Sequence, residues 1–255
     1  MKKLMVTIQK GGQGKTMLAC HLAVFAAKHG LRVLFIDLDM QANSSWTLQQ
    51  HASAVTASDF CWNRFDALPE AVDNIALVTG DAPMADADDW DAAEALEHYR
   101  TAFDRCEKDF DLCIIDTPPT LGFSQSATGR LVDYVVAPVE MEWYSIQGLE
   151  KLNVIISNLI EKNNKLCLLG IVPNRFDGRK PRLVDNLAMV RETYGDEILP
   201  FVVPQRDSIS ESLADPDMKT IWACRKTSAR QPKKVMTELC AYLLKKMGFK
   251  KIQSK

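Results

Sequence analysis

The chain has 255 residues, 47% hydrophobic and 25% charged, with a formal net charge of −2. These proportions belong to an ordinary globular protein and exclude general disorder, a collagen-like repeat and a small disulfide scaffold. The longest apolar run, residues 22–27, is far shorter than the ~20 residues needed to cross a bilayer.

The start, Met1-Lys2-Lys3, resembles a signal peptide, but the apolar stretch after it stops at Thr7-Ile8-Gln9-Lys10. A cytoplasmic protein is therefore expected. Residues 4–8 read as a short buried strand, followed by a glycine-rich loop and a helix over 15–29 that Gly30 ends. Residues 32–36 form a second strand, ending at Asp37, and 74–79 a third, ending at Gly80. The acid-rich stretch 81–97 reads as a solvated loop and helix start, with the helix over 91–108. Strands follow at 112–115, ending at Asp116, and at 134–137, closed by Pro138. A long helix over 145–160 precedes a sixth strand at 166–172. A helix at 182–194, a seventh strand at 199–203 and a last helix at 232–247 complete the series.

The strands are continuous apolar runs, which indicates burial on both faces. Together with strand–helix alternation this predicts an α/β fold: one domain over 1–255, a mostly parallel twisted sheet with helices on both faces. Ligands in such folds bind at the carboxyl ends of the strands. The cysteines, at 20, 61, 106, 113, 167, 224 and 240, include no Cys-x-x-Cys pair, and the four histidines make no metal pattern. Reduced core thiols are expected. Residues 216–255 carry a charge of +9 and residues 1–215 carry −11. A basic tail on an acidic body suits nucleic acid or anionic lipid, or is simply a solvated helix with a lysine-rich end.

Lys10-Gly11-Gly12-Gln13-Gly14-Lys15-Thr16 lies between the first strand and the first helix. Gly14, Lys15 and Thr16 fit the phosphate-binding loop, while its usual first glycine falls at Gln9 and a lysine is gained at position 10. Glycines at 11, 12 and 14 can turn backbone N–H groups inward around an anion, and the helix start adds its dipole. Lys15 would neutralise the β- and γ-phosphates, and the Thr16 hydroxyl would ligate Mg²⁺. Asp37-Leu38-Asp39-Met40-Gln41 places two carboxylates at a neighbouring strand end. Asp37 is a candidate metal ligand, and Asp39 a candidate for positioning the attacking water. Asp116 closes an apolar strand in the Walker B manner and would reach Mg²⁺ through water. Residues 117–120 are then placed to act as a switch beside the γ-phosphate.

Lys-Gly-Gly-x-Gly-Lys-Thr at 10–16, Asp-x-Asp-x-Gln at 37–41 and Ile-Asp-Thr-Pro-Pro at 115–119 together resemble the ParA/MinD family of deviant-Walker ATPases. The stretches 133–140, 145–149, 173–177 and 203–204 extend the resemblance over nearly the whole chain, most weakly at 50–74 and 80–100. The resemblance implies a P-loop NTPase fold and a Mg-dependent ATPase whose ATP-bound homodimer sandwiches two nucleotides. By the same resemblance Lys10 reaches the phosphates of the partner's nucleotide, and Asp39 is needed for hydrolysis. Nucleotide contacts span Gly11, Gly12, Gln13, Gly14, Lys15, Thr16 and Met17, with Asn174 and Pro204 around adenine. Met40 stands where the family usually has proline.

The chain starts at the P-loop strand, so it resembles the short ParA type of plasmid and chromosome partition. That implies a nucleoid-associated protein that binds double-stranded DNA without sequence preference and is released by a ParB-like adaptor on the cargo. Candidate DNA contacts are Arg179, Arg182, Arg206, Arg225, Lys226 and Arg230, with Lys233 and Lys234 nearby. The alternatives are a MinD-like membrane-cycling ATPase anchored by the C-terminal helix, and a relative that positions a protein assembly. No membrane association is expected, because the apolar spacing of that helix suits packing on the core.

Overall fold

The computed structural model describes residues 1–215, 219–250 and 252, with Tyr144 and Ser145 described by their backbone alone. Seven strands are formed: β1 (Lys2–Val6), β2 (Val33–Asp37), β3 (Ala52–Thr56), β4 (Ile75–Thr79), β5 (Leu112–Asp116), β6 (Tyr134–Glu140) and β7 (Cys167–Asn174). They build one sheet in the order β3-β4-β2-β5-β1-β6-β7, with every pair parallel. The nine α-helices among the described residues are α1 (Lys15–Lys28), α2 (Asn43–Thr47), α3 (Ala57–Cys61), α4 (Ala92–Cys106), α5 (Phe123–Leu131), α6 (Trp143–Lys162), α7 (Pro181–Tyr194), α8 (Asp207–Ala214) and α9 (Arg230–Lys246).

Successive strand residues serve opposite layers, as the two-residue period requires. Met5, Cys113 and Ile115 pack with α3 to α7, while Leu4, Leu112 and Ile114 pack with α1, α8 and α9. Helix α1 is apolar nearly all round because it lies between the sheet and α9. On α9 itself, Met236, Leu239 and Leu243 are fully buried, and so is Met247 beyond its end. The apolar side of this helix is thus occupied by the core. Among the described residues no helix is long and apolar enough to cross a membrane.

The all-parallel, helix-covered sheet is as the apolar runs predict, but its edges differ. Strand β3 lies in the stretch where no element was expected. Ala52-Ser53-Ala54-Val55-Thr56 is a half-exposed edge strand and lacks the apolar run of a central one. The expected seventh strand at 199–203 is absent. That segment follows β7 through Leu199 N to Ile171 O (2.8 Å) and Val203 N to Pro173 O (2.9 Å), but Pro200 and Pro204 have no N–H to continue a ladder. Strand β1 lies two residues earlier than its apolar pattern suggested. The acid-rich stretch is ordered rather than loop: a 3₁₀ segment (Ala82–Asp89) leads into α4, where Asp91 accepts from the N–H groups of Ala93 and Glu94. All seven cysteines are free thiols, and only Cys167 is exposed.

Candidate nucleotide-binding site

The central strands end level with one another: Val6 pairs with Asp116, and Asp116 with Asp37. The glycine-rich loop leaves this edge and enters α1 at Gly14. Gly12 and Gly14 have φ of 77° and 98°, a region that only glycine occupies without strain. Gly14 also has no room for a side chain, since a Cβ there would lie 2.1 Å from Asn174 Nδ2. No side chain caps the start of α1, so its first N–H groups remain available to an anion.

A cavity of about 480 Å³ opens at this point. One wall is the loop and first turn of α1: Gly11, Gly12, Gly14, Lys15, Thr16 and Met17. Asp39, Gln41, Asn43 and Pro119 form a second wall. Asn174, Arg175 and the stretch from Pro204 into α8 form the third. Lys15 is 7% exposed, and its burial lowers the ammonium pKa, an effect that Asp116 and Asp39 partly offset. The Thr16 hydroxyl donates to Asp116 Oδ2 at 2.7 Å, while Asp116 Oδ1 is buried without a partner. Burial, and then the neighbouring Asp37 carboxylate, push the Asp116 pKa up to about 7.

The Thr16 hydroxyl and the partnerless Asp116 Oδ1, beside a cavity of nucleotide size, fit Mg²⁺. Among the described residues no three His, Cys, Asp or Glu groups converge to hold an ion alone, so phosphate oxygens would complete its shell. Asp37 is placed differently from the expected ligand. Its Oδ1 accepts from Asp39 N and its Oδ2 from both the N–H and the hydroxyl of Ser45. The Ser45 hydroxyl in turn accepts from Gly80 N at 2.8 Å. Asp37 therefore ties the ends of β2 and β4 together with both oxygens engaged. Asp39 lines the cavity and accepts from Gln41 N at 2.9 Å.

The outward side of the loop is held from β6 and β7. Asn174 Nδ2 donates to Gln13 O at 2.6 Å, and Arg175 Nη1 to Gly12 O at 3.3 Å. Both carbonyls are thereby drawn outward, the arrangement in which loop N–H groups face an anion. The Gln13 side chain is absent from the cavity lining and accepts from Glu140 N. Glu140 also pairs with Arg175 Nε at 3.1 Å. Arg175 has a φ of 49°, a strained conformation for a side-chain-bearing residue. Arg175, Glu140 and Ser45 went unread in the sequence. Arg175 stands next to the singled-out Asn174, and Ser45 follows the Asp-x-Asp turn, but no spacing pointed to Glu140.

Lys10 is exposed and lies outside the cavity lining. The basic candidates fall into groups. Arg206 belongs to the cavity wall rather than to a distant face, and its guanidinium approaches Gln231 at the start of α9. Arg179 pairs with Asp177, and Arg182 with Glu142, both around the start of α7. Lys226 pairs with Glu211 of α8 at 2.6 Å, and Arg225 and Arg230 beside it are exposed.

The sequence profile of the AAA domain matches residues 1–168. Protein IncC of Escherichia coli is 41% identical over 252 residues, covering 97% of this chain and 70% of that protein. The chromosome-partitioning ATPase Soj of Thermus thermophilus is 29% identical over 215 residues, 83% of this chain and 84% of Soj. The apo McdA of Cyanothece superposes with a TM-score of 0.80 at 22% identity, covering 96% of this chain and 99% of McdA. A plasmid partition protein of Borrelia burgdorferi, solved with AMPPNP, gives 0.78 at 20% identity, covering 96% and 99% of the two chains.

Proposed function

The chain belongs to the ParA/MinD family of partition ATPases, and from that premise we propose that it hydrolyses ATP as a dimerisation switch that holds and releases DNA. In this reading the loop N–H groups and Lys15 bind the phosphates. Thr16 and Asp116 hold Mg²⁺, which neutralises phosphate charge when bound. Asp39, on the open side of the cavity, orients the attacking water. Asn174 keeps one amide oxygen buried and without a partner beside the cavity, suited to accept from the adenine amino group. Lys10 serves the nucleotide of a second protomer, placing positive charge where negative charge develops in the transition state.

One observation carries the dimer. The exposed large apolar side chains Met40, Trp46, Leu121 and Trp143 are 47–62% exposed and follow the carboxyl ends of β2, β5 and β6, the sheet edge on which the cavity opens. Exposed apolar side chains along that edge suit a second copy of the chain. The basic groups at Arg179 and Arg182 and at Arg225, Lys226 and Arg230 then supply sequence-independent phosphate contacts. A ParB-like adaptor on the cargo would stimulate hydrolysis and release. The buried apolar side of α9 argues against the membrane-anchored alternative.

The test is binding to random-sequence duplex DNA with ATP, with ADP and without nucleotide, at one fixed salt concentration, with Lys15→Ala as control. Binding only with ATP, lost in the variant, is expected. ATP-dependent dimerisation without DNA binding would overturn the DNA switch.

A further inference from the structure

The 117–122 segment between β5 and α5 is clamped on both sides to the end of β1 and the residue after it. At the start of the segment the Thr117 hydroxyl donates to Val6 O at 3.1 Å. Just past its end, in the first turn of α5, Gln125 Nε2 donates to Thr7 Oγ1 at 2.7 Å. Thr7, Thr117 and Gln125 are at most 2% exposed, so water does not compete for these bonds. The Thr7 N–H is itself fixed to Val136 O of β6 at 3.1 Å. Lys10 follows Thr7 by three residues. Between the two clamps the segment meets the candidate site. Pro119 lines the cavity, and Leu121 is 62% exposed on the sheet edge where the cavity opens.

The start of α5 is set from its other side as well. Asp88 Oδ1 accepts from Phe123 N at 2.7 Å, and a Cβ on Gly122 would fall 2.2 Å from that oxygen. Gln125 is thus carried on a helix start with little freedom of its own. Its contact with Thr7 is not a finished core pair. Gln125 Oε1 is buried without a partner, and so is Gln9 Nε2, on the residue before Lys10. An unpaired acceptor on α5 and an unpaired donor on the lysine segment are both costly where they stand. Neither residue lines the cavity, so nucleotide does not satisfy them directly.

We propose that Gln125 is a positioning residue for Lys10: through Thr7 it passes the position of the 117–122 segment to the segment that carries the lysine. The proposal rests on the reading above in which Lys10 serves a second protomer's nucleotide. A cation that acts on a transition state must be held to within about half an ångström. An exposed lysine side chain gains that precision from the backbone that carries it. Displacement of Pro119 by nucleotide, or of Leu121 by a second copy of the chain, then reaches Lys10 through Gln125 and Thr7. Phosphate binding, which uses residues 11–17, is left untouched by this route.

The experiment measures Mg-ATP turnover, and affinity for a fluorescent ATP analogue, in the full chain at a concentration where ATP-dependent dimerisation is complete. Gln125→Met keeps the side-chain length and removes both amide groups. Thr7→Val removes the same bond from its other end and serves where the first variant fails to fold. Expected is a kcat at least about fivefold lower in either variant, with KM and nucleotide affinity within about twofold of the wild type. The double variant should be no slower than the singles, and Gln125→Met should have no further effect in a Lys10→Ala background. Unchanged kcat in both variants, affinity that falls in step with kcat, or a further loss in the Lys10→Ala background would overturn the proposal. A Lys10→Ala chain that turns over like the wild type sinks the second-protomer role of Lys10, and this proposal with it. A slow Lys10→Ala beside an unimpaired Gln125→Met sinks the proposal alone.

Discussion

The Asn174 amide donates to the Gln13 carbonyl at 2.6 Å from the space that a Cβ on Gly14 would need. The end of β7 and the phosphate loop are therefore fitted to each other before any nucleotide arrives. Gly14→Ala is expected to abolish nucleotide binding, by more than about 100-fold, because it combines a forbidden φ with a clash against the Asn174 side chain. Asn174→Ala should weaken binding by roughly tenfold, about one to two lost hydrogen bonds. Titration with a fluorescent ATP analogue measures both.

Arg175 holds Gly12 O while paired with Glu140, at the expense of a left-handed backbone. Arg175→Ala is expected to reduce nucleotide affinity by roughly 5–20-fold, about 1–2 kcal/mol. Arg175→Gly should lose the same affinity yet melt at a higher temperature than Arg175→Ala, because glycine relieves the backbone strain. Affinity and thermal melting, read together, separate the two effects.

Ser45 donates to Asp37 and accepts from Gly80, joining β2 to β4 beside the cavity. Ser45→Ala should cost about 1–3 kcal/mol of stability, since it leaves a buried N–H and a carboxylate oxygen short of a partner. Urea unfolding without nucleotide gives the value.

His21 is fully buried, with Nδ1 2.7 Å from Met17 O and Nε2 accepting from Ile221 N at 3.0 Å. The bond to Ile221 needs the neutral ring, because a protonated Nε2 cannot accept, and burial pushes the pKa down from 6.5 to about 4, with the Met17 carbonyl pulling slightly back. A depressed pKa on a base means that its stabilisation is complete above pH 6.5. It is then lost as pH falls towards 4, up to about 3 kcal/mol. His21→Gln should flatten this part of the stability profile, checked by urea midpoints at pH 7.5 and 5.

Neutralising Arg225, Lys226 and Arg230 together should weaken DNA binding equally for all sequences and lower the log–log salt slope by about 2–3. Glu211→Gln, which frees Lys226 from its 2.6 Å ion pair, should strengthen DNA binding. Salt titrations of anisotropy distinguish the two.

The chain's own order of residues determined the parallel sheet, the loop at 10–16 and the acids at the strand ends. These are local facts: apolar runs mark doubly buried strands, and glycine beside lysine at a helix start marks an anion site. That Asp37 clasps Ser45, and that Arg206 lines the cavity, became legible only in the fold. So did the reach of Asn174 and Arg175 across 161 and 163 residues to the same loop. Spacing along a chain says what a residue can offer. Its partner depends on which strand ends the sheet order places together, and that order follows from burying both faces at once. The edges were least legible, because β3 and the proline-broken stretch beside β7 carry little apolar signal and take their places from the strands already paired.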